Sequence, residues 1–178
     1  MKTIQTKVLI SAAGTLASVS YIKHLREKGY YVIGINSESN TIGKFLCDEY
    51  YQSPLVTDKD NFLLFIEKLT FDVYLPWLDE EHLLFASELN ISFNHKILTS
   101  PSESINISVD KAKTYLFAKN HLINVAEKTE KAPAFVRMNF SRGSKGARKV
   151  TSQNELDNLD KNKYIVQNLI EGVEYTID

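Results

Sequence analysis

What this chain has little of narrows its class before any motif is read. Among 178 residues there is one cysteine, Cys47, so no intrachain disulfide can form and no CxxC metal site exists. The histidines, His24, His82, His95 and His121, are scattered without metal-ligand spacing. Net charge is only -1, which argues against a general nucleic-acid binder, because counterion release needs a broad basic surface. No apolar run approaches transmembrane length, and the one near the N-terminus is too short for a signal h-region. The expectation is a cytoplasmic protein that engages neither membrane nor nucleic acid. The sequons at Asn90, Asn106 and Asn139 are then chance matches. No G-x-x-x-x-G-K-[ST] is present, which excludes a P-loop NTPase, and there is no internal repeat or low-complexity segment.

What is present is an ordinary globular mix, 43% hydrophobic and 24% charged, long enough to bury a core. Lys7–Ser11 reads as an apolar strand and Ala12-Ala13-Gly14-Thr15 as the turn after it. Leu16, Val19, Ile22 and Leu25 predict a helix with one apolar face, closed by Gly29, before a second strand at Tyr31–Ile35. Further strands are expected at Glu49–Gln52, Asp72–Pro76 and Lys96–Thr99. Helices opening at Asp60 (with Phe62, Phe65, Ile66 and Leu69 on one face) and spanning Glu80–Leu89 alternate with them. Alternation of this kind means an α/β domain with a parallel, doubly wound sheet over residues 1–100. The break Ser100-Pro101-Ser102 marks a boundary, and residues 101–178 form a second unit.

That second unit begins with a short helix, Glu103–Val109, and a helix opening at Asp110 with Tyr115, Ala118 and Leu122 on one side. A strand at Ala134, a glycine loop, a return strand near Ala147–Val150, a helix over Gln153–Leu159 and a strand over Tyr164–Ile170 follow. Glu174–Asp178 opens another strand, and the sequence stops there in mid-pattern.

Three constellations could carry chemistry. Gly14 sits where a dinucleotide fingerprint has its central glycine, but the register reads Ala12-Ala13-Gly14-Thr15-Leu16-Ala17, and Asn36 stands where a ribose-binding acid is expected. The same turn serves equally as good packing or as a site for another anion. Asp79-Glu80-Glu81 follows the fourth strand at the edge where open sheets bind ligands, though acids in a first helical turn also simply suit its dipole. The third is AFVRMNFSRGSKGARKV, Ala134 to Val150, which holds Arg137, Arg142, Lys145, Arg148 and Lys149 and no acid. Glycine-rich backbone with nearby Arg and Lys suits a phosphate-gripping loop between two strands; an ordinary basic hairpin has the same composition.

Three elements follow in fixed order: Asp110-Lys111 opening a helix, Arg137 before the glycine loop, and QNLIEGVE from Gln167 to Glu174 closing a strand. Here the chain resembles the ATP-grasp superfamily, and most closely its carbamoyl-phosphate-synthase-like members. The resemblance covers nearly the whole chain; SRGSKGARKV and IEGVEYTID are its most specific pieces, and SAAGTLASVSYIKHLREKGYYVIGIN looks like the family's pre-ATP-grasp domain.

The resemblance implies a Rossmann-like pre-ATP-grasp domain (1–100) followed by the first part of an α+β ATP-grasp domain (101–178). It implies that Lys111 contacts nucleotide phosphate and Arg137 bridges the phosphates. Ser141, Arg142, Gly143, Ser144, Lys145 and Gly146 would form the lid over the β- and γ-phosphates. Gln167 with the backbone of Asn168, Leu169 and Ile170 would read adenine, and Glu174 would hold the ribose. Gly14 and Glu80 are left as possible substrate-side positions. Those roles suit the chemistry: carboxylate for a diol, cations for phosphates, paired backbone donor and acceptor for adenine.

Two departures stand out. The stretch from Leu122 to Pro133 is shorter than the family's usual link, and the family's magnesium ligands lie beyond the EGxE turn, so none is expected before Asp178. The function implied is the ATP-binding part of a ligase that activates a small-molecule carboxylate as its acyl phosphate, using ATP and, in an intact parent, Mg²⁺. A non-catalytic nucleotide-binding or regulatory module and a Rossmann NAD(P) protein are the alternatives.

Overall fold

The computed structural model describes residues 5–87, 96–141, 143–173 and 175. The chain divides into two compact units, Met1–Ile105 and Asn106–Asp178.

In the first unit, strands β1 (Lys7–Ile10), β2 (Tyr31–Asn36), β3 (Glu49–Gln52), β4 (Val73–Leu75) and β5 (Lys96–Ile97) form one sheet in the order β3-β2-β1-β4-β5. Every pairing is parallel. Helices α1 (Leu16–Glu27), α2 (Gly43–Leu46), α3 (Lys59–Glu67) and α4 (Asp79–Ser87) make the connections among these strands. Parallel strands covered on both faces need apolar side chains in both directions, which is why β1 and β2 read as continuous apolar runs. Leu9, Ile33 and Ile35 point to one side and pack with Phe62 and Ile66 of α3 and Leu84 and Phe85 of α4. Ile10 and Val32 point to the other and pack with Ile22 of α1. This is the Rossmann-like sheet expected from the alternation, and the order reverses between β1 and β4, so their carboxyl ends flank a switch point.

Local differences from the sequence reading have physical reasons. The Thr15 side chain accepts from Ser18 N–H at 3.2 Å and starts α1, while Gly29 (φ 84) ends it by donating to Arg26 O at 2.9 Å. Leu16 was expected on the apolar face but is 92% exposed. The buried face of α1 instead begins at Ser18, whose hydroxyl donates to Ala12 O at 2.8 Å, and a residue two positions earlier lies on the far side of the helix. The cap of α3 is Asp58 rather than Asp60, which lies in the first turn. The single-turn helix α2 had no periodicity to announce it.

The division between the units falls within α5 (Ser102–Ser108). Asp110 caps α6 (Lys111–Asn120) by accepting from Ala112 N–H at 2.9 Å and Lys113 N–H at 3.3 Å. Strands β6 (Ala134–Met138), β7 (Arg148–Val150) and β8 (Tyr164–Asn168) form an antiparallel sheet ordered β7-β6-β8, and α7 (Gln153–Asp157) lies between the last two in sequence. One sheet face is the core: Ala134, Val136 and Val150 are fully buried and pack with Leu156, Tyr164 and Val166. Leu122, expected beside Ala118, is instead 94% exposed with φ 58 just past the end of α6. The end of the helix predicted to Leu89, and all of the strand predicted from Glu174 to Asp178 except Tyr175, lie outside the described residues.

Candidate functional site

At the carboxyl edge of the first sheet, polar groups close on one another. Glu81, in the first turn of α4, is only 1% exposed. Its Oε2 accepts from the Ser11 hydroxyl at the end of β1, from Trp77 N–H at 3.0 Å and from Leu78 N–H at 3.3 Å. Ser11 Oγ in turn accepts from Trp77 N–H at 2.8 Å. This knot ties the ends of β1 and β4 across the switch point. Burial pushes the Glu81 carboxyl above its usual range, and the hydrogen bonds from Ser11, Trp77 and Leu78 oppose that shift. Asp79-Glu80-Glu81 stands out in the sequence, with Glu80 as the substrate-side position; what the sequence does not show is Ser11, the partner of Glu81, because 70 residues separate the two. Gly14 is nearby in sequence, and a Cβ there would meet Thr41 Cβ at 2.7 Å and Asn36 Nδ2 at 2.8 Å. The chain's own side chains thus occupy the space that the glycine leaves.

The second unit presents the opposite arrangement. Across from its core face, β6 and β8 put Phe135, Arg137 and Gln167 on one surface, as the pairing Phe135↔Gln167 and the two-residue period require. That surface walls a cavity of about 520 Å³ lined by Phe135, Arg137, Gln167, Asn168, Leu169 and Ile170, with Val125, Ala126, Gly172 and Val173 at its sides. Arg137 Nη2 donates to Gln167 Oε1 at 2.8 Å, and Gln167 Nε2 donates to Ala126 O at 2.7 Å. Arg137 Nε is buried without a hydrogen-bond partner among the described residues. At the end of β8, Asn168 N–H donates to Glu127 O at 2.7 Å, and the chain continues through Leu169 and Ile170 along the cavity wall.

Lys111 is brought to the glycine loop rather than to this cavity: its Nζ donates to Ser141 O at 2.6 Å and lies 3.3 Å from Ser141 Oγ. Gly143, Ser144, Lys145 and Gly146 form an exposed turn in which Ala147 N–H donates to Ser144 O at 3.0 Å. Three of these residues have positive φ (Gly143 59, Ser144 56, Gly146 74), a left-handed run that glycine makes accessible. The structure therefore groups Arg137 with Gln167–Ile170, and Lys111 with Ser141. Arg142 and Glu174 lie outside the described residues. Phe135, Val125 and Ala126 were not singled out from sequence, although counting two residues back from Arg137 along β6 finds Phe135. Behind the sheet a second cavity, about 340 Å³, is lined by Asn139, Leu156, Tyr164 and Val166 among others. Asn139 Nδ2 donates there to Asn162 O at 2.9 Å. Among the described residues no cluster of three or more His, Cys, Asp or Glu is placed to hold a metal ion.

The five-stranded parallel sheet followed by the antiparallel unit is a fold that recurs in solved structures. Among solved structures it is shared with the L-amino acid ligase of Bacillus licheniformis (TM-score 0.68, 14% identity), covering 97% of this chain and 46% of that one. It is shared also with the N5-carboxyaminoimidazole synthetase of Staphylococcus aureus complexed with ADP (TM-score 0.66, 12% identity), covering 96% of this chain and 49% of that one. In sequence the chain is 28% identical over 162 residues to the carbamoyl phosphate synthase large chain of Thermoplasma acidophilum, matching 79% of this chain and 15% of that protein. It thus spans about half of these solved structures and a smaller share of the synthase. No family model matches the chain.

Proposed function

We propose that this chain is the ATP-binding part of an ATP-grasp ligase that activates a small-molecule carboxylate as its acyl phosphate for attack by an amine or other nucleophile. The observation that carries the reading is the cavity beside β6 and β8, where a guanidinium and a strand-to-loop backbone face the same space. In this reading the base lies along Leu169 and Ile170, whose main chain supplies paired donor and acceptor, with Phe135 as apolar wall. Arg137 reaches the phosphates. Lys111 and the turn Ser141–Gly146 hold the terminal phosphates, Arg142 contributing there, and Glu174 holds the ribose. Cations and backbone N–H groups gathered on the phosphates would offset the charge that grows during phosphoryl transfer. Magnesium, which the family resemblance implies, would supply further neutralisation; the described residues do not assemble a set to hold it. Gly14 and Glu80 remain the substrate-side candidates.

Calorimetric titration tests the reading. ADP should bind more tightly than NAD, and Arg137→Met should weaken ADP binding at least tenfold, the range for losing charge-assisted hydrogen bonds. Tighter binding of NAD, or no heat from ADP at millimolar concentration, would overturn it.

A further inference from the structure

Gln167 has a role that the resemblance does not give it. We infer that Gln167 is a positioning residue that aims Arg137 at the phosphates of the nucleotide and does not read the base. The inference rests on the nucleotide reading above and sharpens it.

Gln167 is 6% exposed, and both ends of its amide are already engaged. The oxygen accepts from Arg137 Nη2 at 2.8 Å, and the nitrogen donates to Ala126 O at 2.7 Å. The amide cannot be turned over. Reversal would set its N–H₂ against the guanidinium and its oxygen against the Ala126 carbonyl, opposing donor to donor and acceptor to acceptor. Ala126 therefore fixes Gln167, and Gln167 fixes Arg137. A long side chain loses rotamer freedom when it binds an anion, and holding it beforehand removes much of that cost.

The partner's neutrality matters as well. Among the described residues Arg137 has no carboxylate partner; the group that orients it is an amide, so its charge is not compensated at this contact. Arg137 Nε is buried and has no hydrogen-bond partner among the described residues. An oriented guanidinium whose contact here is a neutral amide suits a phosphate oxygen, whose negative charge it meets more favourably than the neutral acceptors of a purine edge. Recognition of the base then falls to the main chain beyond Asn168, since Asn168 N–H is itself donated to Glu127 O at 2.7 Å.

The experiment titrates ADP and adenosine into the wild-type chain, Gln167→Met, Arg137→Met and the double variant, with thermal unfolding as the control on folding. Gln167→Met should weaken ADP about tenfold while adenosine changes less than about twofold, and the double variant should bind ADP no more weakly than Arg137→Met alone. The salt dependence of ADP binding should also flatten in Gln167→Met. If that variant misfolds, Gln167→Asn, one methylene too short to reach both partners, should show the same split. Equal loss of adenosine and ADP would make Gln167 a base reader and overturn the inference while leaving the nucleotide reading intact. Independent, additive losses in the double variant would overturn it too. A wild-type chain that binds neither ligand overturns the nucleotide reading and this inference with it.

Discussion

The two units treat polar groups at the ends of their strands in opposite ways. In the parallel unit the switch point between β1 and β4 is filled from within: Glu81, Ser11 and the Trp77 and Leu78 amides satisfy one another. In the antiparallel unit the sheet face opposite the core has a buried guanidinium N–H without a partner among the described residues, on a side chain that lines a cavity of about 520 Å³. Buried polar groups that are satisfied internally hold a fold together, while those left unsatisfied ask for a ligand. The first unit has its own exception in the buried Tyr74 hydroxyl, which has no hydrogen-bond partner among the described residues; what sets the second unit apart is the cavity beside its guanidinium, and there we propose the nucleotide site.

The comparison can be broken most forcefully in the core. Phe62 is 2% exposed and lies in the packed layer beneath β1 and β2. Phe62→Ala should destabilise the first unit by about 3–5 kcal/mol, read by chemical denaturation. A loss below about 1 kcal/mol would mean that this layer is not the core described.

Glu81 should give the next largest effect, with a sign fixed by its burial. Its folded pKa is raised, so the folded state holds the proton more firmly than the unfolded one. The stability this contributes is fully present below the ordinary carboxylate pKa and is lost as pH rises through the raised folded value. Glu81→Gln should remove that slope between the two values in unfolding experiments across pH. A slope that persists in the variant assigns the titration elsewhere.

The Cys47 thiol is pushed up to about 12, mainly by burial, with Asp48 adding to the shift and Arg26 opposing it. It should therefore react with a neutral-pH thiol reagent far more slowly than a free cysteine. Rapid labelling of the folded chain would contradict the burial of this edge. Smallest of all, Glu155→Ala, which removes the exposed pair with Arg148, should change stability by less than about 1 kcal/mol.

Much of this architecture could be read from residues, and the reasons the rest could not are specific. Period and punctuation gave β1 to β4, the closing glycine at Gly29 and the Asp110 cap, because each is local chemistry. The basic stretch around Arg137 marked the strand and loop that the structure forms. What sequence could not reveal depends on distance or orientation. The Ser11–Glu81 bond joins residues far apart in the chain, and the direction of the Gln167 amide is decided by Ala126, on a neighbouring segment. Leu16 and Leu122 fit apolar periodicity, but Leu16 falls on the far side of α1 from its buried residues and Leu122 lies past the end of α6 with φ 58.

The central claim is that nucleotide is met by the second unit's open sheet face and not by the filled edge of the first. The direct measurement is a two-dimensional ¹⁵N–¹H spectrum of the chain titrated with ADP. Chemical shifts should move at Phe135, Arg137 and Gln167 to Ile170, with smaller changes at Lys111 and in the turn Gly143–Gly146, while Ser11 to Thr15 and Glu81 stay still. Shifts concentrated at Ala12 to Thr15, with β6 and β8 unmoved, would contradict the account and return the anion site to the first unit.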